Sequence, residues 1–530
     1  MNKKNILLLI LGVTLFSCKE NDDLLEEKTP TVILPDVEGV MVSPYRLSLF
    51  IGNTRTVEAT VLPDSASQEV RWSSSNPAVA TVTDGVITTL KQGSTSIIAK
   101  SVADSTKFGD LLLTVEDSIK KLPIDERIDH YRKEDVCIRV TRNGAPIVGA
   151  SVAMTMQNHE FLFGCNIGGW SGNATAAQDL EFRRLFADIF NFATLSIFWG
   201  SFERVKDQPN YAFAGQVAEW CAERDIRVKG HPLIYYDRSP NWLESMSDSE
   251  LYDRIMNERI GGMTNHFRGA IDAWDVVNEV VYWGGQTDPR AVSRLAAKLS
   301  YVEFTKYCLM AARKGNPQAT LLMNDNNFSD PYLNLLKQLV DASGQPLFDV
   351  VGVQSHFHMA PDNAGRWTDT RTWAVCERFA PLGKPIHFTE ISILSTTDNC
   401  GSCENVPTTP EGEAWQSEEV VRFYKMLFSH PSVEAATMWD FTDQNSWMGT
   451  PAGLLRADMT PKPAYYALKH LIKEEWATNT TQVTDNAGEI HLRAFRGKYN
   501  FTVTLPDGTT LSPQYDAVKK GQPVIDLAVF

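Results

Sequence analysis

Trp274-Asp275-Val276-Val277-Asn278-Glu279 is a short apolar run closing on a carboxylate, and Pro385-Ile386-His387-Phe388-Thr389-Glu390 has the same form. A glutamate that ends a β-branched run sits where a barrel strand delivers its last side chain to the pocket at the barrel top. Outward from these two motifs, between about Phe161 and Leu471, strand-like runs alternate with amphipathic stretches such as Asp179–Phe190, Ala214–Arg224, Asp248–Phe267, Ser300–Lys314 and Ser417–Phe428. Alternation over that length predicts a (β/α)8 barrel. The expected strands are Phe161–Cys165, Phe192–Phe198, Val228–Ile234, Ala273–Glu279, Thr320–Asn324, Val350–His356, Ile386–Glu390 and Ala436–Trp439. Their C-terminal ends gather Asn166, Trp199, His231, Asn278 with Glu279, Asn324 with Asp325, Gln354 with His356, Glu390 and Trp439. Polar and aromatic groups collected at one end of every strand suit a sugar pocket.

Two carboxylates in one pocket are the minimal equipment for hydrolysing a glycosidic bond. One stays protonated to donate to the leaving oxygen, and the other is ionised to attack or to activate water. Composition agrees with a soluble, multidomain protein. The chain has 530 residues, too many for one core, so about two to four domains are expected. Its 43% hydrophobic and 22% charged residues are ordinary for globular proteins. A net charge of -15 disfavours nucleic acid or an anionic membrane as partner and is compatible with a neutral glycan. The 13 Trp suit stacking on sugars, although aromatics are core residues first.

At the N-terminus, Lys3 and Lys4 precede the apolar run Ile6–Phe16, too short to span a bilayer as a mature helix, and this reads as a signal peptide. Leu15-Phe16-Ser17-Cys18 resembles the lipobox of bacterial lipoproteins, which implies lipidation of Cys18, with Phe16 bulkier than usual. Lys19-Glu20-Asn21-Asp22-Asp23 resembles the acidic tag of Bacteroidetes-type lipoproteins, so a lipid anchor in the outer membrane with exposure at the cell surface is expected. Seven cysteines remain besides Cys18, an odd number that forbids complete internal pairing. Cys400-Gly401-Ser402-Cys403 reads as a local disulfide staple in a loop, with half of a metal site as the alternative that the lack of a second CxxC or paired His disfavours. No catalytic metal or cofactor is expected, and a monomer is.

Residues 19–33 read as a tether. From Val37 onward short strands follow one another at sandwich spacing: Val40–Val42, Arg46–Phe50, Thr56–Val61, Glu69–Trp72, Ala80–Val82, Gly85–Thr88, Ser96–Ala99 and Leu111–Val115. The run Trp72–Val82, then Gly85-Val86-Ile87 and Lys91-Gln92-Gly93, resembles bacterial Ig-like group 2 domains, which are mostly spacers.

Within the barrel region the resemblance is to glycoside hydrolase family 10. It is carried by Phe161–Asn166, Gly230-His231-Pro232-Leu233, Trp274–Glu279, Asn324–Asn327, Gly352–His356, Thr389-Glu390, Met438–Trp447 and Lys462–Tyr466. The family hydrolyses β-1,4-xylan internally with retention at the anomeric carbon. Carried over motif by motif, the resemblance makes Glu279 the general acid/base and Glu390 the nucleophile. Asn278 would hold the hydroxyl beside the reacting carbon. Gln354 and His356 would orient the nucleophile, and Trp439 and Trp447 would wall the central subsite. His231, Asn324 and Tyr236 complete the expected substrate contacts.

The departures are specific. The second strand of the family usually runs into Glu-Asn and then Lys-Trp, whereas Asn191–Trp199 is apolar here and Phe198 stands in place of the Lys. Tyr235-Tyr236 replaces the common Trp-His, Ser392 replaces the Asp two residues beyond the nucleophile, and Asn326 replaces a Tyr. Each lost charge-assisted hydrogen bond is worth about 1.5–3 kcal/mol. A xylan-type polysaccharide is therefore the expected substrate, with another β-linked glycan or a non-catalytic glycan-binding lipoprotein as open alternatives.

The expected order is a signal peptide over 1–18, the tether over 19–33, the Ig-like domain over 34–117 and the barrel over 159–475. β segments fill 118–158 and 476–530. Neither segment alone has enough strands to bury a core, and joined they resemble one small sandwich of the carboxypeptidase-regulatory type, split by the barrel.

Overall fold

The structure is a computed structural model that describes residues 35–170, 177–284, 288–358, 365–397, 404–511 and 514–529. Cys18, Cys400 and Cys403 lie outside these. The chain forms two compact units, one ending at Lys121 and one beginning at Leu122. No helix among the described residues is long and apolar enough to cross a membrane.

The first unit is all-β. One sheet has the order Arg46–Phe50, Phe108–Glu116, Gly93–Ser101, Val70–Ser74, and another has Thr54–Thr56, Val86–Thr89, Ala80–Thr83. Their inward side chains, including Ile87, Ile97, Leu111 and Leu113, make one core, which Val61 of a separate strand pair joins. The strand expected over Thr56–Val61 is broken at Val57. Thr54–Thr56 pairs with Val86–Thr89, while Glu58–Leu62 turns to pair with Gly39–Ser43. Val57 itself is buried, and its N–H goes to Gly85 O at 2.9 Å.

In the second unit eight parallel strands close into a barrel: β1 Leu162–Asn166, β2 Phe192–Ser196, β3 Arg227–His231, β4 Ala273–Asn278, β5 Thr320–Asp325, β6 Val350–His358, β7 Ile386–Ile393 and β8 Val433–Met438. Closure is the parallel pairing of β8 with β1, Leu162 opposite Ala435. The chain leaves β2 and β3 earlier than the apolar runs suggested, after Ser196 and His231. The reason lies in the helix expected as Asp248–Phe267. It contains a wide-turn segment over Arg254–Gly262 that brings Arg259 inward. The buried Arg259 guanidinium donates to Leu233 O at 2.8 Å, Ile197 O at 2.7 Å and Pro232 O at 3.0 Å. Those carbonyls leave the ladder to satisfy a buried cation, which fixes the loops that carry Phe198 and Tyr235.

A second core lies outside the barrel. Lys133–Arg142 is flanked antiparallel by Glu489–Phe495 and parallel by Val524–Val529. Ser151–His159 is flanked antiparallel by Thr480–Val483 and Gly497–Thr504, and the latter pairs with Gln514–Val518. Strands from both ends of the unit thus interleave in two sheets, and Val136, Ile138, Val152, Met154, Tyr499, Phe501, Ile525 and Leu527 pack together. Arg132, at the end of helix Ile124–Arg132, ties this body to the barrel. It is buried, and it donates to Phe428 O and His430 O at 2.6 Å each and to Val433 O at 2.8 Å.

Candidate active site

β4 is apolar and wholly buried from Ala273 to Asn278, so the next residue emerges at the barrel rim. That residue is Glu279, whose φ of 57° is left-handed. A residue other than glycine is uncommon in this region, and such positions concentrate at functional sites. Its N–H goes to Asn324 O at 2.8 Å, and Val281 N–H goes to Asp325 Oδ2 at 2.9 Å, so β5 fixes the turn. Glu390 lies inside β7 and is buried.

The two carboxyls have opposite surroundings. Glu279 accepts from Gln354 Nε2 at 3.1 Å and Asn278 Nδ2 at 3.2 Å on Oε1, and from the Tyr235 hydroxyl at 3.0 Å on Oε2. Burial, and then the nearby Glu390 charge, hold its pKa above the usual carboxylate range despite the donors from Gln354 and Tyr235. Glu390 accepts from Asn324 Nδ2 at 2.6 Å and lies 3.0 Å from His356 Nε2. Burial pushes Glu390 upward, but the His356 hydrogen bond, with the charges of His231, His356 and Lys229, brings it below the ordinary value. One carboxyl is set to hold a proton and the other to lose it.

Two amides join them. Asn324 Nδ2 donates to Glu390 and also to Asn278 Oδ1 at 2.8 Å, and Asn278 reaches Glu279. Thr389 Oγ1 fixes Asn324 by donating to its Oδ1 at 2.5 Å. Gln354 therefore serves Glu279, not the nucleophile candidate it was expected to orient; Asn324 and His356 do that. His356 Nδ1 meets Ser392 Oγ at 2.8 Å, so a hydroxyl braces the imidazole where a carboxylate was usual. Beneath the pocket, buried Asp275 Oδ2 is 2.6 Å from Lys229 Nζ and 2.7 Å from His231 Nδ1. Sequence reasoning missed Lys229, whose signal was a lysine inside an apolar strand.

The aromatics fall in place except one. Trp439 meets His231 and His356 edge-on, with ring centroids 5.2 and 5.9 Å apart, and Trp447 lies 4.5 Å from His356 with its ring 37% exposed. Phe198 packs on His231 at 5.4 Å and Tyr235 at 6.1 Å. Tyr236, expected as a substrate contact, points the other way. It is fully buried among Trp283, Tyr301 and Phe304, and its neighbour Tyr235 holds the place in the pocket. Tyr235 is extended and Tyr236 opens a short 3-10 turn, and the two side chains take opposite sides, so a one-residue error in the loop exchanges pocket for core. The cluster of metal-type donors found among the described residues is Cys137, Glu489 and His491, on the split sandwich and not in this pocket.

Comparison with known proteins then decides the family. Residues 154–471 match Glycosyl hydrolase family 10. The chain belongs to that family. Residues 36–107 match the bacterial Ig-like domain (group 2), so this glycoside hydrolase carries an Ig-like sandwich ahead of its barrel. Endo-1,4-beta-xylanase B of Thermotoga neapolitana is 28% identical over 291 residues, 52% of this chain and 78% of its own length. Anti-sigma-I factor RsgI6 of Acetivibrio thermocellus is 27% identical over 398 residues, 72% of this chain but only 46% of its own length. Native xylanase 10B of Thermotoga maritima shares the fold, with a TM-score of 0.50 at 24% identity, over 60% of this chain and 96% of its own.

Proposed function

We propose that this chain is a retaining endo-acting glycoside hydrolase that cleaves β-1,4-xylan or a decorated xylan. The observation that carries the reading is the opposed setting of the two carboxyls in one pocket, burial and the neighbouring charge raising Glu279 above the ordinary carboxylate value while His356 and nearby positive charges bring Glu390 below it. Glu390 attacks the anomeric carbon while the Glu279 proton passes to the glycosidic oxygen. The carbon–oxygen bond breaks with its electron pair on the leaving sugar, and a glycosyl ester forms on Glu390. Glu279, now a carboxylate, takes a proton from water, which displaces Glu390 and restores both groups with net retention. Asn324 and His356 hold Glu390 in its attacking geometry, and Trp439 and Trp447 offer faces for the sugar rings.

The xylanase named above supports xylan as substrate, and the intact carboxylate pair favours catalysis over mere glycan binding. Replacing a cationic grip by Phe198 and Tyr235 favours a less charged contact with the polymer. In this reading Cys18 is lipidated and holds the enzyme at the outer cell surface; a Cys18→Ala variant is expected in the soluble fraction, and one that stays with the membranes refutes the anchor.

The test is product analysis on a panel of β-glycans with wild type, Glu279→Gln and Glu390→Gln. Xylo-oligosaccharides that form with β-anomeric configuration from wild type, and from neither variant, support the reading. Cleavage of another polymer alone replaces the substrate, and binding without cleavage replaces the enzyme.

A further inference from the structure

The carboxyl of Glu279 is not symmetric. Oε1 faces two amide N–H groups, from Gln354 at 3.1 Å and Asn278 at 3.2 Å. Amide N–H groups only donate, so the oxygen that receives them is unfit to carry the proton of the neutral acid. That proton belongs on Oε2. The hydrogen-bond partner of Oε2 among the described residues is the Tyr235 hydroxyl, at 3.0 Å.

We propose that Tyr235 is a positioning residue that holds the acid proton of Glu279 on Oε2 and reverses its own hydrogen bond as the carboxyl changes state. This rests on the reading of Glu279 as the acid/base. While Glu279 is protonated, its O–H donates to the phenol oxygen. During glycosidic cleavage the Oε2–H bond breaks, the leaving oxygen takes the proton, and the phenol turns to donate to the new carboxylate. A phenol can do both. Tryptophan, the common residue at this position in chains of this family, has an indole N–H that can only donate and so serves the ionised state alone.

The ring is held independently of its hydroxyl. It packs between Phe198 at 6.1 Å and Trp283 at 6.2 Å, and Arg290 lies over Trp283 at 5.1 Å. Removing the oxygen therefore keeps the packing. The groups that bear on Glu279 besides Tyr235 are Asn278 beside it, Gln354 from β6, Glu390 from β7, His231 from β3 and Asp325 from β5.

The experiment compares wild type and Tyr235→Phe on aryl β-xylobiosides whose leaving phenols range from poor to dinitrophenyl. The poorest leaving groups need the proton most. Loss of a hydrogen bond to a carboxyl predicts a fall in kcat/KM of about 10- to 100-fold on the poor ones. On the dinitrophenyl substrate, about 3-fold or less is expected. The basic limb of the pH profile should move up in Tyr235→Phe, which lacks a donor to the carboxylate, and down in Tyr235→Trp relative to Tyr235→Phe. A loss equal across the series, or no loss, overturns the proposal. A wild type inert on every aryl xylobioside, yet active on another glycoside series, fails the xylan reading and not this one, and the comparison is then made on that series.

Discussion

Replacing Asn324 by leucine should move the acid limb of the pH–rate profile upward. Asn324 is fully buried and supplies the hydrogen bond to Glu390 Oε1, at 2.6 Å. Leucine is similar in size and offers no donor, so Glu390 would keep His356 at Oε2 and lose its partner at Oε1. A hydrogen bond to a charged group is worth about 1.5–3 kcal/mol. At about 1.4 kcal/mol per pKa unit, the Glu390 pKa should rise by about 1–2 units. The sign follows from the present setting. Burial raises this carboxyl, and the His356 hydrogen bond with the charges of His231, His356 and Lys229 brings it below the usual value; a hydrogen bond to the charged form acts in the same direction, so removing the Asn324 donor should raise it. Because Glu390 must be ionised to attack, kcat/KM is lost at higher pH in the variant. The same group contributes stability above its unfolded pKa, lost as pH falls through the folded value, and that contribution should shrink. The assay is kcat/KM from about pH 3 to 8 on a dinitrophenyl xylobioside, whose leaving group makes the acid limb report the nucleophile. An acid limb that stays within about 0.3 units of wild type, in a variant with unchanged folding, refutes the assignment of Asn324 to Glu390.

Asp440 behaves oppositely. Burial raises its pKa to about 7, its Oδ1 accepts from Trp447 N–H at 3.0 Å, and its buried Oδ2 has no hydrogen-bond partner among the described residues. A raised acid supplies stability below its unfolded pKa that is lost as pH rises through the folded one. Asp440→Asn should therefore melt higher than wild type above pH 7, by about 2 °C or more, and the gap should close toward about pH 4; a gap independent of pH in calorimetry contradicts this. Arg132→Met leaves three carbonyls without their cation and should cost about 3–5 kcal/mol, or roughly 3–6 °C in melting temperature for a unit of this size. A shift under about 2 °C would show that the clamp is dispensable. Deleting residues 484–530 removes Glu489–Phe495, Gly497–Thr504, Gln514–Val518 and Val524–Val529. The truncated chain should aggregate or melt lower, and soluble protein with unchanged melting would show that the two β segments are independent.

The barrel was legible because its strands are mostly apolar runs of strand length with polar residues toward their C-terminal ends. Glu279 followed from the same signal, since it is the first residue beyond β4, whereas β7 runs on past Glu390 to Ile393 and its carboxyl enters the pocket from within the strand. Loops gave no such rule. Tyr235 and Tyr236 are adjacent and chemically identical, and only the path set by Arg259 decides which enters the pocket. The direction of hydrogen bonds was likewise beyond periodicity. Gln354 lies mid-way along β6 and Asn324 one residue before the end of β5, both near both carboxyls, and their assignment depends on the relative height of β5, β6 and β7. Lys229 was hidden for another reason: a lysine in a strand reads as surface unless its partner, Asp275 on the next strand, is known.

The interleaved sandwich constrains the order in which the molecule can be made. Arg139 and Glu489 are joined at 2.9 Å although 350 residues apart in sequence. Lys133–Arg142 leaves the ribosome, or enters the compartment where it folds, long before either strand that flanks it. Until those strands arrive it is paired only at Thr141 and Arg142, with Ala145–Pro146, and is otherwise an open edge with an apolar face, the kind of segment that pairs wrongly with neighbours. The barrel can assemble in the meantime and bring the two ends together, which lowers the loop-closure cost of a very long-range pairing. The sandwich is then the last of these parts to close, because its strands come from both sides of the barrel in sequence.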